Sequence, residues 1–219
     1  MIKNIIFDFD GVLVDSEILV AKVMRKYLAE KNITFEENEF SKFAGKKTFQ
    51  VISELSSLFS ISDKRSFFND IMSLANDLYS NELEVVFGVN HFLKNTNHNR
   101  FIGSNSGKER IVRGLKKAGI DNYFKEDAIS SFDTVGKSKP EPDVYLRLID
   151  IATLDRKETI IIEDSAIGIQ AGVATGVKVI GLTAGKHWHK DRSDQELLDA
   201  GAYAVVKNYK DMLLLINKL

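Results

Sequence analysis

The sequence predicts an α/β protein in which a mostly parallel sheet, flanked by helices on both faces, is interrupted by an inserted all-helical block. Three observations predict it. The unbroken apolar run Ile5-Ile6-Phe7 is short and β-branched-rich, as expected of a buried strand near the N-terminus. From about residue 16 to 82 the apolar spacing is helical, with no strand pattern interrupting it. After Phe87-Gly88, short apolar runs alternate with helical faces to the end of the chain.

The first strand hands over to Asp8-Phe9-Asp10, Gly11 supplies a turn, and Asp15-Ser16-Glu17 has the composition of a helix start. In the block that follows, Leu19, Val23 and Tyr27 share one helical face. Val51, Ile52, Leu55, Leu58 and Phe59 share a second, and Phe67, Phe68, Ile71, Leu74, Ala75 and Leu78 a third. Its aromatic residues Phe40, Phe43, Phe49, Phe59, Phe67 and Phe68 read as the block's own core. Later strands are expected at Phe101–Ile102, Thr159–Ile162, Lys178–Leu182 and Ala204–Val206, separated by helical faces at Ile111/Val112/Leu115 and Val144/Tyr145/Leu148/Ile149. The organisation is therefore a core of residues 1–15 and 86–219 with a helical cap of residues 16–85 inserted after the first strand.

Composition excludes several classes. At 219 residues the chain can bury a sizeable core, and 44% hydrophobic with 28% charged residues is ordinary for a soluble globular protein. A formal charge of −1 offers no basic field for a nucleic-acid partner. The absence of cysteine removes disulfides, thiolate metal sites and a cysteine nucleophile, and fits a reducing compartment. No apolar stretch approaches the roughly 18 residues of a membrane span, and the N-terminus lacks a signal-peptide pattern. The expectation is a soluble cytoplasmic protein with no membrane partner; the oligomeric state stays open, and a monomer is compatible with it.

Asp8 and Asp10 stand at the carboxyl end of a buried strand, where open α/β sheets bind ligands. Three later segments are expected at the same sheet edge. Ser104-Asn105-Ser106 follows the second core strand, and Ser106-Gly107-Lys108-Glu109 has capping-box spacing; it reads either as a helix cap or as a phosphate seat. Lys137 and Lys139 precede Pro140-Glu141-Pro142-Asp143, which reads as a solvated helix start or as a lysine held in a fixed direction. Glu163-Asp164 closes the strand Ile160-Ile161-Ile162 before Ser165-Ala166-Ile167-Gly168; the pair would cap a helix or hold a metal ion. Gly168 and Gly172, one helical turn apart, suggest close packing on the sheet. His187-Trp188-His189 reads as an exposed loop, with Trp188 near the cap or packed on the core.

Convergence changes the weight of each segment. Two like charges 4 Å apart cost about 4 kcal/mol at an effective dielectric near 20, so Asp8, Asp10, Glu163 and Asp164 persist together only with protonation or a cation. An oxygen-only ligand set suits Mg²⁺, and a nearby Lys139 would offset the remaining charge of a carboxylate nucleophile and a phosphoryl group.

Asp8-Phe9-Asp10-Gly11-Val12-Leu13-Val14-Asp15-Ser16 resembles the first motif of the haloacid dehalogenase superfamily. Ser104-Asn105-Ser106 is similar to the second, Lys139-Pro140-Glu141-Pro142-Asp143-Val144-Tyr145 to the third, and Glu163-Asp164-Ser165-Ala166-Ile167-Gly168 to the fourth. The order spans the chain, and the helical block resembles the small cap of the β-phosphoglucomutase-like subgroup. The resemblance implies a Rossmann-like core, Asp8 as the nucleophile forming an aspartyl-phosphate, and Asp10 as general acid and base. It further implies Mg²⁺ on Asp8, the Asp10 carbonyl and Asp164, with Glu163 contributing. Phosphate oxygens would meet Ser104 and the Asn105 N–H, and Lys139 would stabilise negative charge.

An aspartate two residues after the nucleophile implies phosphate chemistry, not dehalogenation. In β-phosphoglucomutases the first cap helix carries a histidine and the cap loop an arginine; Val20 and Thr48 stand at those places. The loop Phe43-Ala44-Gly45-Lys46-Lys47-Thr48 is closer to that of sugar-phosphate and phosphogluconate phosphatases, with Gly45, Lys46 and Lys47 as candidate contacts to an anionic substrate. The expected activity is hydrolysis of a small phosphorylated metabolite, a sugar phosphate. Mutase activity is the first alternative and a non-catalytic phospho-acceptor the second.

Overall fold

The computed structural model describes residues 1–34, 48–188 and 192–219, the side chains of residues 48–50 excepted. In chain order the elements are β1 (Asn4–Phe7), α1 (Glu17–Glu30), α2 (Thr48–Leu58), α3 (Lys64–Glu82), α4 (Val89–Lys94), β2 (Asn99–Ser104), α5 (Lys108–Ala118), β3 (Ile129–Ser131), α6 (Phe132–Val135), α7 (Asp143–Ile151), β4 (Thr159–Glu163), α8 (Ala166–Val173), β5 (Lys178–Leu182), α9 (Gln195–Asp199), β6 (Ala204–Val206) and α10 (Tyr209–Ile216). The six strands form one sheet in the order β3-β2-β1-β4-β5-β6, every pair parallel.

Parallel strands need long crossovers, and the intervening helices provide them. They also bury both faces of the sheet, so the central strands carry continuous apolar runs: Ile5, Ile6, Phe7, Ile160, Ile161 and Ile162 are fully buried. On one face Val144, Tyr145, Leu148 and Ile149 of α7 and Ile169 of α8 pack with Ile6, Ile161 and Val179. Gly172 permits this contact, since a Cβ there would lie 2.7 Å from Val179 Cγ2. Elsewhere Phe7 meets Phe92 of α4 and Phe124 edge-on, and Phe92 packs on Tyr209 of α10. The Tyr209 hydroxyl donates to the Val12 carbonyl at 2.8 Å, tying the last helix to the first loop.

The chain divides into two compact units, Met1–Asp15 with Glu84–Leu219, and Ser16–Leu83. Glu84 and Val85 lie with the sheet unit for a physical reason. Val85 pairs with Val14 in an antiparallel bridge, Asp15 N donates to Glu84 O, and Val86 N to Leu13 O.

The Ser16–Leu83 unit has a separate core of Val23, Met24, Leu28, Val51, Ile52, Leu55, Phe67, Ile71 and Ala75, with Phe59 and Phe68 packed against it. Asp63 caps α3 by accepting from Ser66 N at 2.8 Å. Phe40, Phe43 and the Phe49 side chain lie outside the described residues. No helix among the described residues is long and apolar enough to cross a membrane.

Candidate active site

β1 lies between β2 and β4, the point where strand order reverses and where open sheets bind ligands. Phe7 is in register with Ile102 and Ile162, so Asp8, Ser104, Glu163 and Asp164 emerge at one edge. Asp8 N donates to Ile162 O at 2.9 Å, extending the ladder by one residue and fixing where the carboxylate leaves the sheet. Gly11 then turns with φ +80°, and a Cβ there would lie 1.9 Å from Asp164 Oδ2. Glycine is required twice over, for the backbone angle and for the carboxylate that fills the space.

Lys139 is buried among charges. Its Nζ donates to Asp8 Oδ1 at 2.7 Å, Glu163 Oε1 at 2.6 Å and Gly103 O at 2.8 Å. Its backbone N–H donates to Asn105 Oδ1 at 2.7 Å, so the loop before α7 is pinned to the end of β2. The ammonium also lies 4.6 Å from the Tyr145 ring centre. Burial alone would lower the Lys139 pKa, but the charges and hydrogen bonds of Asp8 and Glu163 outweigh it and the net shift is upward.

Glu163 is fully buried and saturated. Oε1 accepts from Lys139 Nζ and from the Tyr145 hydroxyl at 2.7 Å. Oε2 accepts from Asp164 N, Ser165 N and Ser165 Oγ at 3.0, 3.2 and 3.1 Å. Gly168 makes room for it: a Cβ at that position would lie 1.9 Å from Oε1. Gly168 thus packs closely on the sheet as expected, at the Glu163 carboxylate that ends β4. Neither acidic residue is the side-chain cap of α8, because Ser165 Oγ accepts from Gly168 N instead.

Asp8, Glu163 and Asp164 each offer an oxygen within 4.8 Å of the others. Burial pushes the Asp8 carboxyl well above its usual range; Lys139 opposes this, and the charges of Glu163, Asp164 and Asp10 add to it. Burial and then the charge of Glu163 do the same to Asp164. Among the described residues, these three buried carboxylates face the Lys139 ammonium and, at Asp164, the charge of the Arg192 guanidinium, which leaves a surplus of negative charge. Hard oxygen donors in that balance fit a small divalent cation such as Mg²⁺.

Asp10 lies at the rim, where Ser106 Oγ donates to Oδ2 at 2.5 Å and Arg110 Nη2 to Oδ1 at 3.3 Å. Ser104 is buried, and its Oγ accepts from Ser106 N at 3.0 Å. The expected capping box on Ser106 and Glu109 does not form. The N-cap of α5 is Gly107, and Lys108 N donates to Asp133 Oδ1 and Oδ2 at 3.0 and 3.1 Å. A carboxylate from α6 takes over the cap while the serine hydroxyl turns to Asp10.

The sequence model of the haloacid dehalogenase-like hydrolase family matches residues 5–182. The chain belongs to this family. A haloacid dehalogenase-like protein of unknown function from Agrobacterium tumefaciens is 31% identical with a TM-score of 0.90, covering 100% of this chain and 99% of its own. A haloacid dehalogenase family hydrolase from Deinococcus radiodurans, crystallised with phosphate and sodium, is 26% identical with a TM-score of 0.85, covering 99% and 96%. The 6-phosphogluconate phosphatase of Escherichia coli K12 is 24% identical over 188 residues, 85% of each chain.

In this haloacid dehalogenase-like chain, Asp8, Lys139, Glu163 and Asp164 are in mutual reach, with Asp10, Ser104 and Asn105 beside them. Gly45, Lys46 and Lys47 lie outside the described residues, as does His189. Lys137 is an exposed partner of Asp143 at 3.2 Å.

His187 corrects the expectation of an exposed loop. Its side chain is largely buried, and Nε2 lies 2.9 Å from Asp164 Oδ2. Trp188 packs on the sheet core with the Arg192 guanidinium 3.7 Å over its ring. Loop composition hid His187; Gly185 makes room for it, since a Cβ there would lie 2.7 Å from the imidazole.

Proposed function

We propose that the protein is a Mg²⁺-dependent phosphatase that hydrolyses a small phosphorylated metabolite, a sugar phosphate, through an aspartyl-phosphate on Asp8. The observation that carries this reading is Asp8 at the sheet's switch point, with Lys139 Nζ on one carboxylate oxygen at 2.7 Å and Asp164 in the same acidic group. The likeness to the 6-phosphogluconate phosphatase of E. coli and to a hydrolase that binds phosphate supports it.

In the first half-reaction the Asp8 carboxylate attacks phosphorus, the bond to the ester oxygen breaks, and the Asp10 carboxyl gives its proton to that oxygen. In the second, Asp10 takes a proton from water as the water attacks the aspartyl-phosphate, releasing inorganic phosphate and restoring Asp8. Such acid–base help is worth about 10²–10⁴-fold. Ser104 and the Asn105 N–H receive phosphate oxygens, and Lys139 offsets charge on both Asp8 and the phosphoryl group. Asp8, Asp164 and the Asp10 carbonyl would hold Mg²⁺, with Glu163 completing the acidic group behind them. When bound, Mg²⁺ supplies charge neutralisation and orientation of phosphate oxygens.

The helical unit of residues 16–83 acts as a cap that selects the substrate, with Gly45, Lys46 and Lys47 contributing anion contacts. The protein functions in the cytoplasm and needs no nucleic acid or membrane partner.

The test is a panel of phosphate esters with Mg²⁺ and with EDTA. Metal-dependent phosphate release is expected, greatest from a sugar monoester. No release from any ester, or equal release in EDTA, overturns the reading.

A further inference from the structure

Asp10 has to serve two opposite states. It is a carboxylic acid when the leaving group departs and a carboxylate when water is activated. The groups that hold it therefore matter in a way that those around Asp8 do not. Two come from the segment after β2. Ser106 Oγ donates to Oδ2 at 2.5 Å, the short range typical of a hydroxyl on a carboxylate. Arg110 Nη2 reaches Oδ1 at 3.3 Å, one helical turn further along.

We propose that Ser106 and Arg110 are positioning residues for Asp10, holding its carboxyl group where it gives a proton to the leaving group and takes one from water. The inference rests on the phosphatase reading. Three features carry it. A serine three residues before a glutamate at a helix start ordinarily caps its own helix, yet here Asp133 accepts from Lys108 N in its place, so the hydroxyl is committed to Asp10. Ser106 N is held in turn by Ser104 Oγ at 3.0 Å, which fixes the direction of approach.

Third, the chemistry of the two partners divides the work. A hydroxyl both donates and accepts, so by rotating it stays bonded to the carboxylate and to the carboxylic acid alike. A guanidinium only donates, so Arg110 supports the carboxylate formed once the proton has left. No atom is gained or lost at either residue. The only proton that moves passes from Asp10 to the ester oxygen and returns from water.

The test separates positioning from general damage by leaving group. A phenolate needs the proton; 2,4-dinitrophenolate leaves without it. kcat/KM is measured for phenyl phosphate and 2,4-dinitrophenyl phosphate with wild type, Ser106→Ala, Ser106→Thr, Arg110→Met and, as the reference, Asp10→Asn. Ser106→Ala is expected to lose about 10–100-fold on phenyl phosphate, a part of the acid–base effect. Its loss on the dinitrophenyl ester should be at least tenfold smaller, as for Asp10→Asn. Ser106→Thr keeps the hydroxyl and restores the phenyl ester rate, while Arg110→Met shows the same split on a smaller scale.

Equal losses on both esters, or a Thr variant as poor as Ala, overturn the inference while the Asp10→Asn split leaves the phosphatase reading intact. A wild type that releases phosphate from these two esters and from every ester of the wider panel at no measurable rate takes both down.

Discussion

Replacing Lys139 with methionine removes a cation shared by two buried carboxylates. The Lys139, Asp8 and Glu163 side chains are 3%, 11% and 0% exposed, so water does not screen the loss. Contacts of 2.7 and 2.6 Å disappear together, and breaking a buried pair by deleting one partner costs about 3–5 kcal/mol. At about 2–4 °C per kcal/mol for a chain of this length, Tm should fall by about 6–20 °C.

The deficit also depends on pH. Burial already holds the Asp8 and Asp164 carboxyls protonated to higher pH than in the unfolded chain. Their contribution is thus present at low pH and lost as pH rises through the raised values. Without Lys139 the loss at Asp8 deepens, so the gap between Lys139→Met and wild type should widen from pH 5 to pH 8. Saturating Mg²⁺ should narrow it, because a cation returns to the acidic group. Thermal unfolding followed by circular dichroism in EDTA and in MgCl₂ checks each statement. A Tm within about 2 °C of wild type in EDTA at pH 8 would refute the idea that Lys139 balances these carboxylates.

Gly11→Ala should abolish Mg²⁺ binding in calorimetric titration, since its Cβ would lie 1.9 Å from Asp164 Oδ2 at a φ of +80°; unaltered affinity would disprove the crowding argument. His187→Ala removes the partner of Asp164 Oδ2 and should weaken Mg²⁺ binding about 10–100-fold with little change in Tm in EDTA. In the wild type, the rise in Tm produced by Mg²⁺ should be larger at pH 8 than at pH 5.5, because the raised carboxyls must lose protons to bind the ion. A pH-independent increment would mean that these groups are already ionised throughout.

Strand positions at β1, β4 and β5 were legible because buried parallel strands are continuous apolar runs, and half-buried β6 because Ala204-Val205-Val206 is apolar as well. β3 was not: Ile129-Ser130-Ser131 is three residues long, and its buried serines leave no apolar run to see. The acidic residues were legible because unpaired charge at strand ends is costly without a function, whereas Lys139, in the loop before α7, stood out only through its match to the family's third motif. What sequence could not supply was the direction of each side chain. The spacing Ser106-x-x-Glu109 describes a cap equally well whether or not Asp133, 25 residues away from Lys108, takes that duty. His187, 23 residues beyond Asp164, stands in a loop whose path no periodicity constrains.

The hydroxyl of Tyr209 steadies the Val12 carbonyl across 197 positions of sequence. At a synthesis rate of about 5–20 residues per second, some 10–40 s separate the emergence of the loop after β1 from that of its brace. A nascent chain stalled before α10 therefore carries Asp8, Lys139 and Asp164 but not the strut beneath Val12. Hydrolytic competence should arrive with the final helix, late in translation, rather than grow in proportion to the length made.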